Sequence, residues 1–245
     1  MKKGVVKLET TPQLEYQANR LISDKLKDML YSIGTIKPVE KDTYIFQQGT
    51  NAKAIYMVLS GMIKISMVTA EGKELVLRLC DPNSIIGELS LYYEHSKFLL
   101  NAKVLEAGEV LVIDKDRLEL ELTTNSELTF EYMKWSNDHM RKFQMKIRDL
   151  LLNGKKGALY STLIRFANSY GIHYENGILI DKVLTNQELA KFCPTTRENV
   201  NRMLNELRKL DVISIQKRKI LIQDMQYIKD AICCENCPIE LCNIN

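Results

Sequence analysis

Four of the six cysteines in this chain lie within its last 13 residues, and their spacing gives the clearest chemical signal in the sequence. Cys234, Cys237 and Cys242 place three thiolates within nine residues, close enough to bind one metal centre. Pro238 keeps the backbone between them out of a regular helix, and Cys233 adds a fourth sulfur beside Cys234. The spacing therefore predicts a thiolate site in a carboxy-terminal tail, residues 233–245.

Three kinds of site fit these residue types. Zinc can be bound by four cysteines, but the neighbouring Cys233 and Cys234 cannot easily both point at one ion. A disulfide or thiol switch is less natural for three or four clustered cysteines in a reducing cell. An iron–sulfur cluster uses thiolates, tolerates this spacing and leaves a fourth iron for a different ligand. The residues alone leave these alternatives open.

The composition excludes several classes of protein. With 245 residues, 45% of them hydrophobic, the chain is long enough for two folded domains and is not intrinsically disordered. Met1–Thr10 lacks the apolar core of a secretory signal, and no run approaches the roughly 20 apolar residues of a membrane span. We therefore expect a cytoplasmic protein, in which clustered cysteines indicate metal or redox chemistry.

No motif for enzyme catalysis is visible. His95, His139 and His173 are scattered, and the sequence has neither a nucleophile motif nor a phosphate-binding glycine loop. Cys80 and Cys193 are expected to be small buried residues. We predict that the chain is not an enzyme.

The elements that must position the tail begin with a β-rich region. From about Ile36 to Asp114, short runs rich in Val, Ile and Tyr alternate with turns, which is typical of an antiparallel barrel or jelly roll. A long helix is then predicted over about residues 126–152. Its length and period favour a homodimer through this helix over a helix buried within one subunit. The predicted seam recurs every three or four residues and comprises Met133, Ser136, Met140, Phe143, Ile147 and Leu150.

The carboxy-terminal half of the sequence predicts a winged helix-turn-helix. Asn153–Gly157 contains two glycines and predicts a hinge before a helix over Ala158–Tyr170. Thr185–Glu188 is a capping box that begins the next helix. A short turn leads to a second helix from Arg197, and two strands then flank the basic segment Gln216–Lys219.

Charge supports DNA binding by this region. Residues 182–222 hold nine Lys and Arg against four Asp and Glu, a net charge of +5, whereas the whole chain carries only +3. Such a local basic surface can neutralise DNA phosphates. The polar face of the second helix carries Arg197, Glu198, Asn201 and Arg202 near its amino end, where a recognition helix contacts base edges. Arginine can bind guanine through two hydrogen bonds and glutamate can accept one from cytosine, so we predict that these four residues contact DNA.

Two motifs resemble those of the CRP/FNR family of bacterial transcription regulators. Residues 197–202, Arg-Glu-Asn-Val-Asn-Arg, are similar to the family's Arg-Glu-x-Val-x-Arg recognition motif, and Gly87-Glu88-Leu89 to the signature of its β-roll. The resemblance implies a homodimer on double-stranded DNA, at a palindrome with half-sites like TGTGA, with RNA polymerase as a further partner. It also implies that Arg197 and Arg202 contact guanines and Glu198 contacts cytosine. Pro194 departs from the family, which often has a small residue at this turn position.

The β-roll departs from the cyclic-nucleotide-binding members of the family at the phosphate position. In those relatives an Arg-Ser pair follows the signature glutamate by ten and eleven residues, and here Phe98 and Leu99 stand there. Neither side chain can neutralise a phosphate, and both favour a closed apolar interior. We therefore expect no cyclic nucleotide.

The tail resembles that of the Bacillus-type FNR regulators, in which three cysteines of this spacing and one aspartate bind a 4Fe–4S cluster. The resemblance implies one cluster per subunit on Cys234, Cys237, Cys242 and Asp149, and an oxygen-responsive activator of anaerobic genes. From the residues alone, Asp149 is an ordinary surface carboxylate beside Arg148. A regulator of the same fold with a zinc or thiol redox switch is the alternative, and Cys233 is a spare thiol or an alternative ligand.

The predicted fold class is α+β. A sensor-like β-roll, similar to cyclic-nucleotide-binding domains, and the long dimerisation helix occupy residues 1–153. The winged helix-turn-helix domain covers residues 154–232, and the cysteine-rich tail covers residues 233–245.

Overall fold

The computed structural model describes residues 22–88, 90–174 and 176–245, and these described residues form two compact units, within 22–142 and within 143–244. Met1–Thr10 and Leu89 of the signature motif lie outside the described residues. The boundary between the units falls inside the long helix rather than after residue 153, because the last turns of that helix pack with the second unit. The tail also packs within the second unit instead of standing apart.

The described part of the first unit contains two antiparallel four-stranded sheets, as expected for a β-roll. One sheet has the order β1-β8-β3-β6 and the other β2-β7-β4-β5. The strands are β1 (Thr35–Val39), β2 (Tyr44–Phe46), β3 (Ala54–Val58), β4 (Met62–Val68), β5 (Glu74–Cys80), β6 (Ile85–Gly87), β7 (Asn101–Glu106) and β8 (Gly108–Asp114).

Gly87 of the signature motif is fixed by backbone geometry. Its φ of +141° lies in the region that only glycine adopts readily, and an added Cβ would lie 3.2 Å from the Cα of Ile55 on the paired strand β3. The adjacent Glu88 accepts a hydrogen bond from the backbone N–H of Leu99 through Oε2 at 3.3 Å. Gly87 and Glu88 therefore hold the end of β6 against β3 and against the segment that carries Leu99.

Phe98 and Leu99 stand where the cyclic-nucleotide-binding relatives have their Arg-Ser pair, and one of the two is part of an aromatic stack in the β-roll core. Phe98 is buried, and its ring stacks on Phe46 with centroids 4.0 Å apart and planes 11° apart. Leu99 is 63% exposed, so the prediction that both side chains face a closed apolar interior is correct for Phe98 and wrong for Leu99. Leu99 lies in a bend just before β7, where the backbone directs its side chain to solvent while that of Phe98 packs inside.

Two helices pack against the β-roll before the long helix begins. Helix α1 (Asp24–Ile33) is capped by Ser23, whose Oγ accepts from the N–H of Leu26 at 3.2 Å, and it buries its apolar face on the first sheet. Helix α2 (Lys115–Thr124) follows β8 directly. Neither helix stood out as a periodic pattern in the sequence.

The long helix α3 (Ser126–Leu152) has the predicted bounds. Along its first half Leu128, Tyr132 and Trp135 are buried. One turn later, burial lowers the pKa of His139 to about 2 and so keeps the ring neutral. Neutral Nε2 is then free to accept from the Arg78 guanidinium, 3.1 Å away.

The second unit, described over residues 143–174 and 176–244, contains the predicted winged helix-turn-helix and additional elements. The hinge prediction over residues 153–157 is wrong in extent, because helix α4 (Gly154–Tyr170) begins directly after Asn153 and includes both glycines. A hairpin, β9 (Gly171–Tyr174) and β10 (Gly177–Ile180), joins the wing strands in a sheet of order β11-β12-β10-β9. The remaining elements are α5 (Asn186–Phe192), α6 (Arg197–Lys209), β11 (Ile213–Gln216), β12 (Lys219–Ile222) and α7 (Met225–Asp230).

A helix that crosses a lipid bilayer needs about 20 predominantly apolar residues. None of the helices in the described ranges is both long and apolar enough to do so.

Candidate DNA-binding surface and metal centre

The predicted capping box is present at the start of the helix-turn-helix. The Oγ1 of Thr185 accepts from the N–H of Glu188 at 3.1 Å, and the Glu188 carboxylate accepts from the N–H of Thr185 at 2.8 Å. Helix α5 then buries Leu189, Ala190 and Phe192. Cys193 closes the helix and is fully buried, as predicted, with its Sγ 3.4 Å from the carbonyl oxygen of Ala158.

The next helix, α6, separates its apolar and polar residues onto opposite faces. It is capped by Thr196, whose Oγ1 accepts from the N–H of Asn199 at 3.3 Å. One face buries Val200, Met203, Leu204 and Leu207. The residues predicted to contact DNA are all exposed and lie in the first two turns: Arg197, Glu198, Asn201 and Arg202.

Hydrogen bonds between side chains order this polar face, on which the predicted base contacts lie. The Arg202 guanidinium donates to Oδ1 of Asn199 at 3.3 Å, and Asn186 of helix α5 donates to Oδ1 of Asn201 at 3.1 Å. Glu198 lies at the start of the helix, where a hydrogen bond from its own backbone N–H lowers the pKa of its carboxyl group. A hydrogen bond from the Thr196 side chain and the positive charge of Arg197 lower this pKa further. Glu198 is therefore a hydrogen-bond acceptor at neutral pH, as a cytosine contact requires.

The basic hairpin is a two-stranded wing. Strands β11 and β12 pair from Ile213 with Ile222 to Gln216 with Lys219. Lys217 and Arg218 form its exposed tip, with φ values of 47° and 69°. Two cations at the end of a rigid hairpin can contact phosphates without reading sequence.

Backbone hydrogen bonds and buried apolar residues shape the cysteine-rich tail. Cys233 and Asn236 adopt positive φ values of 49° and 50°, so the chain turns sharply on either side of Cys234. The N–H of Cys242 donates to the carbonyl oxygen of Pro238 at 2.9 Å. Ile232, Leu241 and Ile244 are buried and anchor the two ends of the tail.

One cavity of about 170 Å³ brings the predicted metal ligands together. Cys234, Cys237, Cys242 and Asp149 all line it, and so does Cys233. Asp149 is only 8% exposed, so its interpretation as an ordinary surface carboxylate is wrong. The reason is that the last turns of α3 lie under the tail, which the local sequence around Asp149 does not indicate.

Asp149 is held by two arginines. Its Oδ2 accepts from Arg165 at 2.7 Å and its Oδ1 from Arg148 at 3.1 Å, and Arg148 also pairs with Glu235 of the tail. Two carboxylate oxygens have about four acceptor sites, so these bonds leave lone pairs for a metal.

The thiols of the tail differ in their surroundings. Cys234, Cys237 and Cys242 are partly buried, whereas Cys233 is exposed. Burial raises the pKa of the Cys242 thiol, and the nearby Arg165 charge opposes that shift. A metal centre would have to displace the Cys242 proton to bind the thiolate.

The four predicted ligands suit a metal centre by residue type. Three sulfurs and one carboxylate are suitable ligands for iron. Among the described residues, no three His, Cys, Asp or Glu side chains converge closely enough to hold a single ion. The four predicted ligands do, however, line one cavity.

Arg165 is a residue of this site that the sequence did not reveal. It is 3% exposed in the middle of α4, a helix that otherwise buries apolar and small residues. A lone arginine within the run from Ala158 to Ala167 is the only signal that could have drawn attention to it.

The sequence of the chain matches two family models and several known regulators. Residues 36–125 match the cyclic nucleotide-binding domain and residues 158–231 match the Crp-like helix-turn-helix domain. The chain is 56% identical over 226 residues to the "Anaerobic regulatory protein" of Bacillus subtilis (strain 168), covering 92% of this chain and 95% of that protein. It is 30% identical over 188 residues to the "Global nitrogen regulator" of Nostoc sp., covering 76% of this chain and 84% of that protein.

Solved structures agree on the fold. A CooA mutant from Carboxydothermus hydrogenoformans matches with a TM-score of 0.69 and 20% identity, covering 91% of this chain and 97% of that one. FixK2 from Bradyrhizobium japonicum matches with a TM-score of 0.67 and 14% identity, covering 81% and 97%. Together with the β-roll, the long helix and the exposed recognition helix, these matches show that the chain belongs to the CRP/FNR family of DNA-binding transcription regulators and is not an enzyme.

Proposed function

We propose that the chain is an oxygen-responsive regulator whose DNA binding is controlled by a 4Fe–4S cluster on Cys234, Cys237, Cys242 and Asp149. The shared cavity carries this proposal. Asp149 precedes Cys234 by 85 positions in the sequence, yet it is buried in the cavity that the three thiols line. The printed name of the Bacillus subtilis relative, "Anaerobic regulatory protein", supports a role in growth without oxygen.

The residues that line the cavity support a cluster over a zinc site of four cysteines, because the adjacent Cys233 and Cys234 cannot easily both point at one ion. Zinc needs its four ligands to converge on one ion, whereas each ligand of a 4Fe–4S cluster binds a different iron. When bound, such a cluster supplies a redox-active group. Carboxylate is a harder and weaker ligand for iron than thiolate, so the Asp149 bond makes the site easy to lose in oxygen.

The ligand positions connect the tail to the helix-turn-helix. One turn before Asp149, the ammonium of Lys146 lies 5.5 Å from the ring centroid of Phe192 in α5. Phe192 in turn packs edge to face on Phe166 of α4, with centroids 5.1 Å apart. Four ligand bonds would tie the tail to the end of α3 and so bias the position of these helices. Loss of the bonds leaves the tail held by hydrogen bonds and packing alone.

A homodimer through α3 completes the proposal. Met133, Met140 and Ile147 of the predicted seam are 53%, 60% and 53% exposed in the single chain. This exposure argues against a seam buried within one subunit and supports a surface that a second copy covers. The two recognition helices of the dimer then contact a palindrome with half-sites like TGTGA. This binding takes place in the cytoplasm. There RNA polymerase is the partner through which the regulator activates anaerobic genes.

Purification without oxygen tests this function. We expect brown protein with about four irons per chain that gives a DNA footprint, and loss of both colour and footprint after exposure to air. Iron and sulfide analysis, an absorption spectrum and footprinting on one preparation measure these properties together. Colourless protein with stoichiometric zinc, or a footprint that air does not change, would contradict the proposal.

The contact between Asn199 and Arg202 gives a prediction for DNA affinity. Asn199→Ala removes the acceptor that orients the Arg202 guanidinium, and we expect binding to the matched palindrome to weaken by about 0.5–1.5 kcal/mol per half-site. Asn205→Ala is a matched control, because Asn205 accepts from Arg208 at the same spacing and the same 3.3 Å distance. Fluorescence anisotropy with a labelled duplex measures both variants. Equal affinities for the two variants would show that Asn199 does not orient Arg202.

A further inference from the structure

Arg165 is a buried cation whose partners lie on both segments that carry the predicted ligands. Its side chain is 4% exposed, and a charge so far from water is costly unless several groups satisfy it. The guanidinium donates to Asp149 on α3 and, on the tail, to the carbonyl oxygens of Leu241 at 3.2 Å and Asn243 at 3.4 Å. Those two carbonyls flank Cys242. Arg165 thus links Asp149, the predicted carboxylate ligand, to the tail segment that carries Cys242, a predicted thiolate ligand.

Neighbours of Arg165 on the same face of α4 also contact the tail. Asn168 donates to the carbonyl oxygen of Cys242 at 2.6 Å, and Ser169 accepts from the N–H of Ile244 at 3.0 Å. Residues three and four positions apart share one face of a helix, so Arg165, Asn168 and Ser169 form one surface, here called the docking face. The hydrogen bonds of the docking face go to main-chain atoms of the tail and not to its thiols. Through these bonds the docking face sets where Cys242 lies.

The charge of Arg165 has a second consequence. Three thiolates and a carboxylate carry more negative charge than a 4Fe–4S core offsets, and charges in a buried site are weakly screened. Arg148 also contacts Asp149, but its side chain is 31% exposed, so water screens its charge more strongly. The Arg165 Nε, moreover, is buried without a hydrogen-bond partner in the described structure, and Arg165 is one of the residues that line the cavity.

We propose that Arg165 is the positioning residue of the cluster site, which fixes Asp149 against the Cys242 segment and offsets the negative charge of the ligands. This inference rests on the proposed function. A nearby cation stabilises the more negative reduced state of a cluster, so Arg165 raises the reduction potential. Its forked guanidinium binds one carboxylate and two carbonyl groups at once, and a lysine ammonium cannot reproduce that geometry.

The test compares Arg165→Gln, Arg165→Lys and the control Arg148→Gln in the full chain, reconstituted without oxygen. We expect Arg165→Gln to bind less than half of the wild-type iron and to give a lower reduction potential in a redox titration. The amides of Cys242 and Ile244 should exchange with deuterium roughly tenfold faster or more, since hydrogen bonds to charged groups are stronger than neutral ones. Arg165→Lys should keep the potential and show the faster exchange, whereas Arg148→Gln should change all three readouts less than Arg165→Gln does.

Two results would overturn the inference. The first is an Arg165→Gln protein whose iron content, reduction potential and deuterium exchange of the tail amides all equal those of the wild type. The second is an Arg148→Gln protein in which these three readouts change as much as they do in Arg165→Gln. If Arg165→Gln does not fold, Arg165→Lys decides the matter, and wild-type tail exchange in that variant rejects the positioning role. If the wild-type protein takes up no iron, the proposed function is contradicted. Deuterium exchange of the tail amides still decides in that case whether Arg165 holds the tail in place.

Discussion

Cys237→Ser is expected to abolish cluster binding, with iron falling from about four atoms per chain to near zero after anaerobic reconstitution. The serine hydroxyl remains protonated at neutral pH and cannot replace a thiolate. Cys237 is partly buried and lines the cavity with Asp149, so its loss opens one side of the site. Iron analysis and the absorption spectrum measure the loss, and footprinting should show that DNA binding becomes the same with and without air.

Cys233→Ser is the matched control for this result. Cys233 is exposed and adjacent to Cys234, so the same chemical change is made one residue from a predicted ligand. We expect iron content and footprint close to those of the wild type. Iron retained by Cys237→Ser and lost by Cys233→Ser would exchange the roles of the two cysteines and reject the proposed ligand set.

The predicted role of Asp149 has a complementary test. Asp149→Cys supplies a thiolate in place of the weaker carboxylate, and the cluster should last longer in air. The same change removes the anionic partner of Arg165, so the measured lifetime must be compared at equal initial iron content. An unchanged lifetime would count against Asp149 as a ligand.

Arg202→Ala is expected to have the other large effect, on sequence-specific DNA binding. One bidentate arginine–guanine contact is worth about 1–3 kcal/mol, and a dimer on a palindrome makes it twice. The expected loss is therefore roughly 30-fold to 10⁴-fold in affinity. Discrimination for guanine at the contacted position should disappear as well. Competition binding with duplexes changed at each half-site position measures both effects.

Arg208→Ala is the control for this prediction. Arg208 is an exposed arginine of the same helix, but it lies in the last turn, whereas recognition helices contact bases through their amino-terminal residues. Its removal should weaken binding slightly and equally for all sequences. An Arg202→Ala protein that still prefers the wild-type base at every position would remove Arg202 from the set of base contacts.

The helix-turn-helix could be predicted from the sequence because its signals are local. The capping box at Thr185, the amphipathic period of α6 and the basic tip at Lys217 each occupy a few consecutive residues, and the structure confirms all three. The long helix could be predicted as well, because seam residues recur every three or four positions along its 27 residues. Short strands such as β6 and the hairpin β9–β10 were missed because pairing with distant strands stabilises them more than their own sequence does.

The candidate metal site shows the opposite case. The cysteine spacing indicated where thiolates lie, but the burial of Asp149 results from packing between segments about 85 positions apart. Arg165 was missed for the same reason, since its partners at Asp149 and Leu241 are 16 and 76 positions away. Leu99 illustrates a smaller failure, because residue type alone does not tell which of two neighbouring side chains a bend turns towards the core.

The burial of the two cysteines outside the tail makes the tail selectively reactive towards thiol reagents. Cys80 and Cys193 are fully buried, and burial raises the pKa of Cys193 to about 11. The four tail cysteines are exposed or partly exposed. Because alkylation requires an accessible thiolate, a maleimide dye added to folded protein labels the tail and spares the rest. The chain thus offers its tail as a selective attachment site for a fluorescent label, with no engineered cysteine required.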